Sequence, residues 1–282
     1  MTSRMRVRHL SRYTYPQPVL ASFNEVRLTP LRTPWQTPLE SVLHVSEATW
    51  QFQYDDYWGT HVRVFESQHQ HRVLTVDATS LVEVDDSRRP RAKLSTSWSD
   101  MTTAWVADRF AEYLTPTASS APEPDLQLVA SDVAVAHSPH ETALSLATYI
   151  HEQMTYQPGS TGVSTSAAQA WRARRGVCQD YAHLLVGALR QVGIPARYVS
   201  GYLHPAEEPE LGEPAVGESH AWVEWWLGEW TGHDPTNDAE VGERHVIVGR
   251  GRDYTDVPPI KGIVAGPAES ELAVTVEITR LA

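Results

Sequence analysis

The stretch of sequence that decides the fold runs from residue 176 to residue 203 and reads GVCQDYAHLLVGALRQVGIPARYVSGYL. Apolar residues recur at helical spacing from residue 181 to residue 192, and the glycine and proline that follow are typical of a helix end. The pattern predicts one helix of about 15 residues with Cys178 in its first turn. The residues from Arg197 to Leu203 then predict a strand.

Further helices are predicted on the N-terminal side of this stretch. Residues Ser99 to Leu114 carry apolar side chains at i, i+4 spacing and precede Pro116, so they predict an amphipathic helix. Residues Thr115 to Asp125 are rich in small residues and proline and predict a loop. A second helix is predicted from Pro139 to Met154, and a short third one after the capping residue Ser166.

Strands dominate the pattern on the C-terminal side. The apolar run from His220 to Leu227 predicts a strand, and residues 232–237 predict a turn. The segment from Glu207 to Glu218 is acidic and rich in glycine and proline, which predicts a loop. Apolar residues alternate again from Glu271 to Ile278, as in a strand with one buried face.

Short alternating runs broken by turn residues also fill the chain from Arg4 to Val84, the pattern of an antiparallel meander. We therefore predict an α+β fold, in which an N-terminal antiparallel β-sandwich precedes a core with its cysteine-bearing helix on an antiparallel sheet. A charged run that ends in proline marks a boundary at residues 85–90. The predicted division is residues 1–85 for the sandwich, residues 86–138 for a partly helical linker region and residues 139–282 for a C-terminal domain.

Composition excludes several classes of partner. The chain has 282 residues with 23 Lys+Arg against 35 Asp+Glu, and this net charge of −12 argues against nucleic-acid binding, which needs a basic face. No stretch approaches the ~18 apolar residues that cross a membrane. The N-terminal residues lack the apolar run of a secretory signal. We expect a soluble, cytoplasmic protein that binds neither nucleic acid nor membrane.

The single cysteine of the chain, Cys178, excludes an intrachain disulfide, a multi-thiolate zinc site and a CxxC redox pair. A thiol at the start of a helix is well placed for nucleophilic chemistry, because the helix dipole and free N–H groups stabilise the thiolate. Such a nucleophile needs a base and an orienting group. We predict that His220 and Asp234 lie side by side on neighbouring antiparallel strands and complete a thiol version of the catalytic triad.

Each of these residues also has a simpler interpretation. A lone cysteine is most often a buried structural residue, most of the 13 histidines must be ordinary, and Asp before Pro is common in turns. Only the joint order of the three favours catalysis. His183 is better explained as a packing or surface residue, and His233 should point to the opposite strand face from Asp234 and so away from Cys178. A zinc site of His204, His220 and His233 matches no ligand spacing, so we expect no metal or cofactor.

Four blocks of sequence resemble the signature blocks of the bacterial transglutaminase-like superfamily, in that family's order. They are residues 176–182 (GVCQDYA), 193–202 (GIPARYVSGY), 219–224 (SHAWVE) and 233–237 (HDPTN). Residues 12–15 (RYTY) and 24–30 (NEVRLTP) also resemble the β-rich region that precedes the catalytic core in many bacterial members. The resemblance covers most of the chain and is weakest between residues 86 and 138.

The resemblance implies a papain-like thiol hydrolase or acyltransferase in which residues 139–282 form the catalytic domain. Cys178 would be the nucleophile, His220 the general base and acid, and Asp234 the orienting carboxylate. The thiolate would attack an amide carbonyl, the leaving amine would take a proton from the histidine, and the acyl group would pass to water or to an amine.

The oxyanion of this reaction needs hydrogen-bond donors. The backbone N–H of Cys178 is one candidate, and Tyr156 or Gln157 would supply the second. The family contains proteases, cross-linking enzymes, amide-cleaving deglycosylases and inactive binding modules, and a single cysteine cannot supply the zinc subdomain of the deglycosylases. We expect a hydrolase of peptide, isopeptide or glutamine side-chain amide bonds in a protein or peptide substrate. A protein-glutamine γ-glutamyltransferase and a polypeptide-binding module are the alternatives.

Overall fold

The computed structural model describes residues 2–93, 95–217, 219–266 and 269–282. The α-helices of these residues are α1 (Trp98–Met101), α2 (Ala104–Arg109), α3 (Ala111–Leu114), α4 (Pro124–Ala136), α5 (Pro139–Gln153), α6 (Ala167–Ala173) and α7 (Cys178–Gln191). The strands are β1 (Thr2–Val19), β2 (Ala21–Val26), β3 (Gln36–Val45), β4 (Trp50–Asp55), β5 (His61–Ser67), β6 (His71–Asp85), β7 (Thr155–Tyr156), β8 (Arg175–Gly176), β9 (Ala196–Leu203), β10 (Pro214–Gly217), β11 (Ser219–Trp226), β12 (Trp230–Asp234), β13 (Ala239–Glu240), β14 (His245–Gly251), β15 (Ile260–Ala265) and β16 (Glu271–Arg280).

Two antiparallel sheets form the N-terminal β-sandwich. One has the strand order β10-β16-β1-β6-β3 and the other the order β15-β2-β5-β4. Every second residue of β1 and of β6 is buried along much of each strand, as the alternation of the sequence predicts. The apolar core beneath them consists of Tyr15, Val19, Val26, Leu28, Val45, Phe65, Leu74, Val76 and Ala78. The predicted sandwich is confirmed.

A third antiparallel sheet, with the order β13-β12-β11-β9-β14, carries the long helix α7. Almost every residue of α7 is buried, because the sheet lies on one side of the helix and α4, α5 and α6 contact it from other sides. The helix begins at Cys178 and ends at Gln191, close to the predicted bounds. The predicted α+β fold, with the cysteine-bearing helix on an antiparallel sheet, is confirmed. No helix of the described residues is long and apolar enough to cross a membrane.

The predicted helix from Ser99 to Leu114 is instead three short helices, α1, α2 and α3. The backbone leaves helical geometry at Thr103, and the hydroxyl of Thr103 accepts a hydrogen bond from the backbone N–H of Val106. A threonine in this position caps a new helix rather than continuing the old one. Of the apolar residues in this stretch, Met101, Val106 and Phe110 are buried but Trp105 is exposed, so the spacing predicted part of the buried face and not this interruption.

The acidic segment from Glu207 to Glu218, predicted as a loop, contains strand β10, while residue 218 itself lies outside the described residues. β10 pairs with β16, from Pro214 opposite Thr279 to Gly217 opposite Val276. The last two strands join the N-terminal sandwich, since β16 also pairs with β1 and β15 pairs with β2. The division of the chain into residues 1–85, 86–138 and 139–282 stays a prediction.

Gly187, in the middle of α7, allows close approach of the loop before α4. A Cβ at this position would overlap the carbonyl oxygen of Ser120 and lie 3.2 Å from Cδ of Pro122. We expect Gly187→Ala to lower the free energy of unfolding by about 2 kcal/mol, measured by denaturant titration, because overpacking forces the backbone apart. Gly162→Ala is the control, since its Cβ would meet nothing within 4 Å. Equal stabilities for the two variants would contradict this packing argument.

Candidate active site

Cys178 occupies the first position of α7, where backbone N–H groups have no partner within the helix. The preceding residue, Val177, is extended, and its N–H donates to Asp180 Oδ2 at 2.8 Å. The hydroxyl of Thr161 donates to the same oxygen at 2.6 Å. Gly176 makes room for this carboxylate, because a Cβ there would lie 2.6 Å from Asp180 Oδ2. The residues around the cysteine therefore hold the helix start in one geometry.

The thiol of Cys178 faces the beginning of strand β11. Its side chain is half-buried, and Sγ lies 3.9 Å from the carbonyl oxygen of Ser219. The next residue of the strand is His220, which lines the same cavity as Cys178. The structure thus brings together a thiol and an imidazole that are far apart in the sequence.

His220 and Asp234 lie on one face of two neighbouring strands, because β11 pairs antiparallel with β12 with Val223 opposite His233. His220 Nε2 donates to Asp234 Oδ2 at 2.7 Å. Since Nε2 is engaged, Nδ1 is the ring nitrogen left to face Cys178. The structure places the three predicted residues in the order thiol, imidazole, carboxylate, while their catalytic roles stay a prediction.

Asp234 is held by several donors in addition to His220. Its Oδ1 accepts backbone hydrogen bonds from Thr236 at 3.0 Å and from Asn237 at 3.3 Å. The side-chain amide of Asn237 donates to Oδ2 at 2.7 Å. Burial by itself raises the pKa of Asp234, but the hydrogen bond from His220 and the electrostatic effect of the nearby His245 outweigh it and hold the pKa well below its ordinary value. The group is therefore a carboxylate at neutral pH.

The same contacts set the charge of His220. Burial alone lowers the pKa of His220, but the hydrogen bond to Asp234 and the interactions with Cys178 and the Asp234 charge outweigh burial and raise the pKa to about 10. The ring is therefore an imidazolium at neutral pH. A cation beside the sulfur stabilises the thiolate, which is the reactive form of cysteine.

Two cavities meet at this pair. The smaller, of about 380 Å³, is lined by Cys178 and His220 together with residues of the 156–163 segment. The larger, of about 730 Å³, reaches from His220 to the wall formed by β10 and β16. The residues that line both cavities are Tyr156, Pro158, Ser219 and His220. The imidazole therefore faces two separate spaces, and the thiol faces the smaller one.

Comparison with known proteins shows the family. Residues 127–235 match the core described as Transglutaminase-like superfamily, and residues 5–83 match the Bacterial transglutaminase-like N-terminal region. An uncharacterized protein of Mycobacterium leprae is 44% identical over 279 residues, which is 99% of both chains. The chain belongs to the transglutaminase-like superfamily. The resemblance stated from its four sequence blocks is confirmed.

Two further relatives of this transglutaminase-like protein carry descriptions of activity. The crystal structure of a protein from Cytophaga hutchinsonii, provisionally assigned as a cysteine protease, has a TM-score of 0.80 at 22% identity and covers 100% of this chain and 92% of that one. This likeness shows the shared fold. A protein-glutamine gamma-glutamyltransferase of Pseudomonas aeruginosa is 31% identical over 150 residues, which is 48% of this chain and 22% of that protein.

The other histidines considered from the sequence lie outside this transglutaminase-like site. His183 is buried in α7, where Nε2 accepts the backbone N–H of Tyr254 at 3.1 Å. His233 points to the opposite face of β12 from Asp234 and bonds Asp238 at 3.1 Å. Among the described residues, no group of three or more His, Cys, Asp or Glu side chains is arranged to hold a metal ion.

The two residues predicted as second oxyanion donors differ in the structure. The backbone N–H of Gln157 donates to the carbonyl oxygen of Gly176 at 2.9 Å, so it is already engaged. Tyr156 is partly exposed and lines both cavities beside His220. Tyr156 therefore faces the site, and the assignment of the oxyanion donors, Cys178 N–H among them, stays a prediction.

Sequence reasoning missed two residues that contact Asp234. Asn237 lies within the fourth signature block, and its short spacing from Asp234 could have suggested an Asx-type turn that caps the carboxylate. His245 Nε2 lies 3.5 Å from Asp234 Oδ2. His245 belongs to no motif, and the contact arises only because the β13–β14 connection crosses the end of the sheet.

Proposed function

We propose that this chain is a thiol-dependent hydrolase that cleaves peptide, isopeptide or glutamine side-chain amide bonds of a protein or peptide substrate. The observation that supports it is the arrangement of Cys178 at the start of α7, in contact with an imidazole whose Nε2 bonds a buried carboxylate at 2.7 Å. This arrangement generates a nucleophile, a proton donor and an orienting group in one place.

In the first half of the proposed reaction, the Cys178 thiolate attacks the carbonyl carbon and forms a carbon–sulfur bond. The carbonyl electron pair moves to oxygen, and the backbone N–H of Cys178 stabilises the oxyanion. When the carbonyl re-forms, the carbon–nitrogen bond breaks and His220 gives its Nδ1 proton to the departing nitrogen. Ammonia or an amine leaves, and a thioester remains on Cys178.

In the second half, neutral His220 takes a proton from a water molecule as the water oxygen attacks the thioester. The tetrahedral intermediate collapses, the carbon–sulfur bond breaks and a carboxylic acid leaves. Asp234 stays a carboxylate throughout and stabilises the imidazolium each time it forms. The cycle ends with the thiolate–imidazolium pair restored.

Transfer of the acyl group to an amine is the second candidate function. The observation that favours it is the larger cavity, which meets the smaller cavity of Cys178 at His220 and Ser219 and offers an acceptor a path to the thioester. The similarity to the Pseudomonas aeruginosa protein-glutamine gamma-glutamyltransferase points in the same direction. An amine in this cavity would lose its proton to His220, as water does in hydrolysis.

The reactivity of the thiol tests the proposal without knowledge of the substrate. We expect iodoacetamide at about pH 6 to alkylate Cys178 at least tenfold faster than free cysteine, because an unpaired thiol with a pKa of about 8.5 is almost fully protonated there. Mass spectrometry of the modified peptide measures the rate. His220→Ala should remove the difference. An equally slow reaction in both folded proteins would support the polypeptide-binding module instead.

Product analysis separates the two enzymatic functions. A library of glutamine-containing peptides is incubated with the protein, with and without a labelled primary amine. Ammonia or peptide release without incorporation of the label identifies a hydrolase. Incorporation into a glutamine side chain identifies an acyltransferase, and Cys178→Ala is the control that both outcomes require to be inactive.

A further inference from the structure

A second histidine lies beside the carboxylate of the site. His245, the first residue of β14, is 2% exposed. Its Nδ1 accepts the backbone N–H of Gly242 at 3.2 Å, so in the neutral ring Nε2 carries the proton. This Nε2 is buried, has no partner within hydrogen-bond distance and lies 3.5 Å from Asp234 Oδ2. An unpaired buried donor is costly, and the carboxylate is the group that compensates it.

Aromatic packing fixes the orientation of this ring. The Trp222 ring meets His245 edge to face, with centroids 5.2 Å apart, and lies roughly parallel to His220 at 6.2 Å. Gly201 leaves space for the indole, because a Cβ there would lie 2.6 Å from it. The two imidazole centroids are 6.4 Å apart, so Trp222 packs against both rings, and each imidazole presents its Nε2 to Asp234 Oδ2.

The ring that carries this donor is neutral. Burial lowers the pKa of His245, although Asp234 acts in the opposite direction. The charged or titratable groups that face it are Asp234, His220 and Arg89, and Arg89 also bonds the carbonyl oxygen of Gly242 at 3.1 Å. A neutral donor can hold the carboxylate without competing with the His220 imidazolium for its charge. A lysine or arginine in the same place would compete.

We propose that His245 is a positioning residue that fixes Asp234 in the orientation in which it holds the imidazolium of His220. The inference rests on the proposed function, because it assigns a role within the same triad. Its Nε2–H contacts the oxygen that bonds His220, so it restrains that oxygen while the proton on His220 leaves and returns. In this proposal the 3.5 Å contact shortens to a hydrogen bond when substrate binds, since catalytic hydrogen bonds often tighten only in the substrate complex.

Two amide variants of similar size provide the test. In His245→Gln the side chain is long enough to present an N–H to Asp234, whereas in His245→Asn it reaches only the N–H of Gly242. We expect His245→Asn to lower kcat by about 10- to 100-fold with KM nearly unchanged, the usual effect of losing such a supporting contact. The alkylation rate of Cys178 should change at the pH where His220 loses its proton. In His245→Asn this pH should fall by about one unit. We expect His245→Gln to restore most of both quantities.

The controls separate positioning from folding. Thermal unfolding of both variants shows whether each remains folded at the assay temperature. His9→Asn is the matched control, because His9 is equally buried at 2% exposed but bonds Tyr202 and Ser11 rather than Asp234. It should leave the alkylation profile unchanged. Identical kcat and identical alkylation profiles for His245→Gln and His245→Asn, both folded, would overturn the proposal.

The alkylation profile also keeps this inference separate from the proposed function. If the wild-type protein cleaves no amide, the proposed function fails, but the profile still reports whether His245 acts on His220 through Asp234. If the wild-type protein is active and the two variants behave alike, the proposed function stands and only the role of His245 fails.

Discussion

Replacement of Cys178 by alanine is expected to reduce amide turnover by at least about 10⁴-fold, because removal of the nucleophile of a triad leaves only binding and oxyanion stabilisation. Release of ammonia or amine from a glutamine-containing peptide is the measurement. The side chain is half-buried at the edge of the cavity rather than within the core, so we expect the fold to persist. Peptide binding to the variant should therefore remain measurable.

Cys178→Ser sharpens this experiment. A serine hydroxyl keeps the size of the group and loses the easily formed thiolate, so turnover should again be nearly abolished. A loss of activity in both Cys178→Ala and Cys178→Ser, with both proteins folded, shows that the effect comes from the missing thiol and not from lower stability. Wild-type rates in Cys178→Ala would show that the nucleophile is not this residue.

Asp234→Asn is expected to lower kcat by about 10²- to 10⁴-fold, because an amide cannot hold the imidazolium or select its tautomer. The hydrogen bond and charge of Asp234 are among the contacts that raise the pKa of His220 to about 10. Their loss should move the alkaline limb of the kcat/KM profile down by at least about one pH unit. The profile measured on wild type and variant tests both statements.

Asp238→Asn is the matched control for that variant. Asp238 also accepts a hydrogen bond from a histidine, His233, and bonds Thr148, but it belongs to a different pair on the other face of β12. We expect it to leave the alkaline limb in place. If the alkaline limb shifted equally in Asp234→Asn and Asp238→Asn, the shift would not depend on the hydrogen bond between His220 and Asp234.

The same pKa difference has a consequence for stability. The ordinary pKa of a histidine is 6.5, and in the folded protein that of His220 is about 10, so folding favours the protonated ring. The resulting stabilisation is complete below about pH 6.5 and is lost as the pH rises through about 10. The difference in unfolding free energy between wild type and His220→Ala should therefore shrink as the pH rises through that range.

Local signals explain how much of the fold was predictable. Helix α7 begins and ends near its predicted bounds because its amphipathic pattern and the glycine and proline after it act within a few residues. The sequence did not predict that the helix is interrupted at Thr103. The interruption depends on one side-chain hydroxyl, which caps a new helix instead of continuing the first one. Strand β10 was missed because its partner, β16, lies far along the chain, and pairing at that distance leaves no local pattern.

The same distinction holds for the site. Cys178, His220 and Asp234 could be selected because each lies in a signature block and at a recognisable position of a helix, strand or turn. His245 could not, since it is one of 13 histidines and its contact with Asp234 depends on how the β13–β14 connection folds over the sheet end. Motifs identify groups that do chemistry more readily than groups that hold them in place.

Strand β16 lies between β1 and β10, and β10 precedes the strand that begins with Ser219 and His220 by a single residue. For protein engineering, this means that the C-terminal domain predicted for residues 139–282 cannot be separated from the sandwich without breaking a sheet. A fragment cut at residue 139 would keep β16 and lose β1, and the exposed strand edge would invite aggregation. It would also free the wall of the larger cavity from the sheet that supports it.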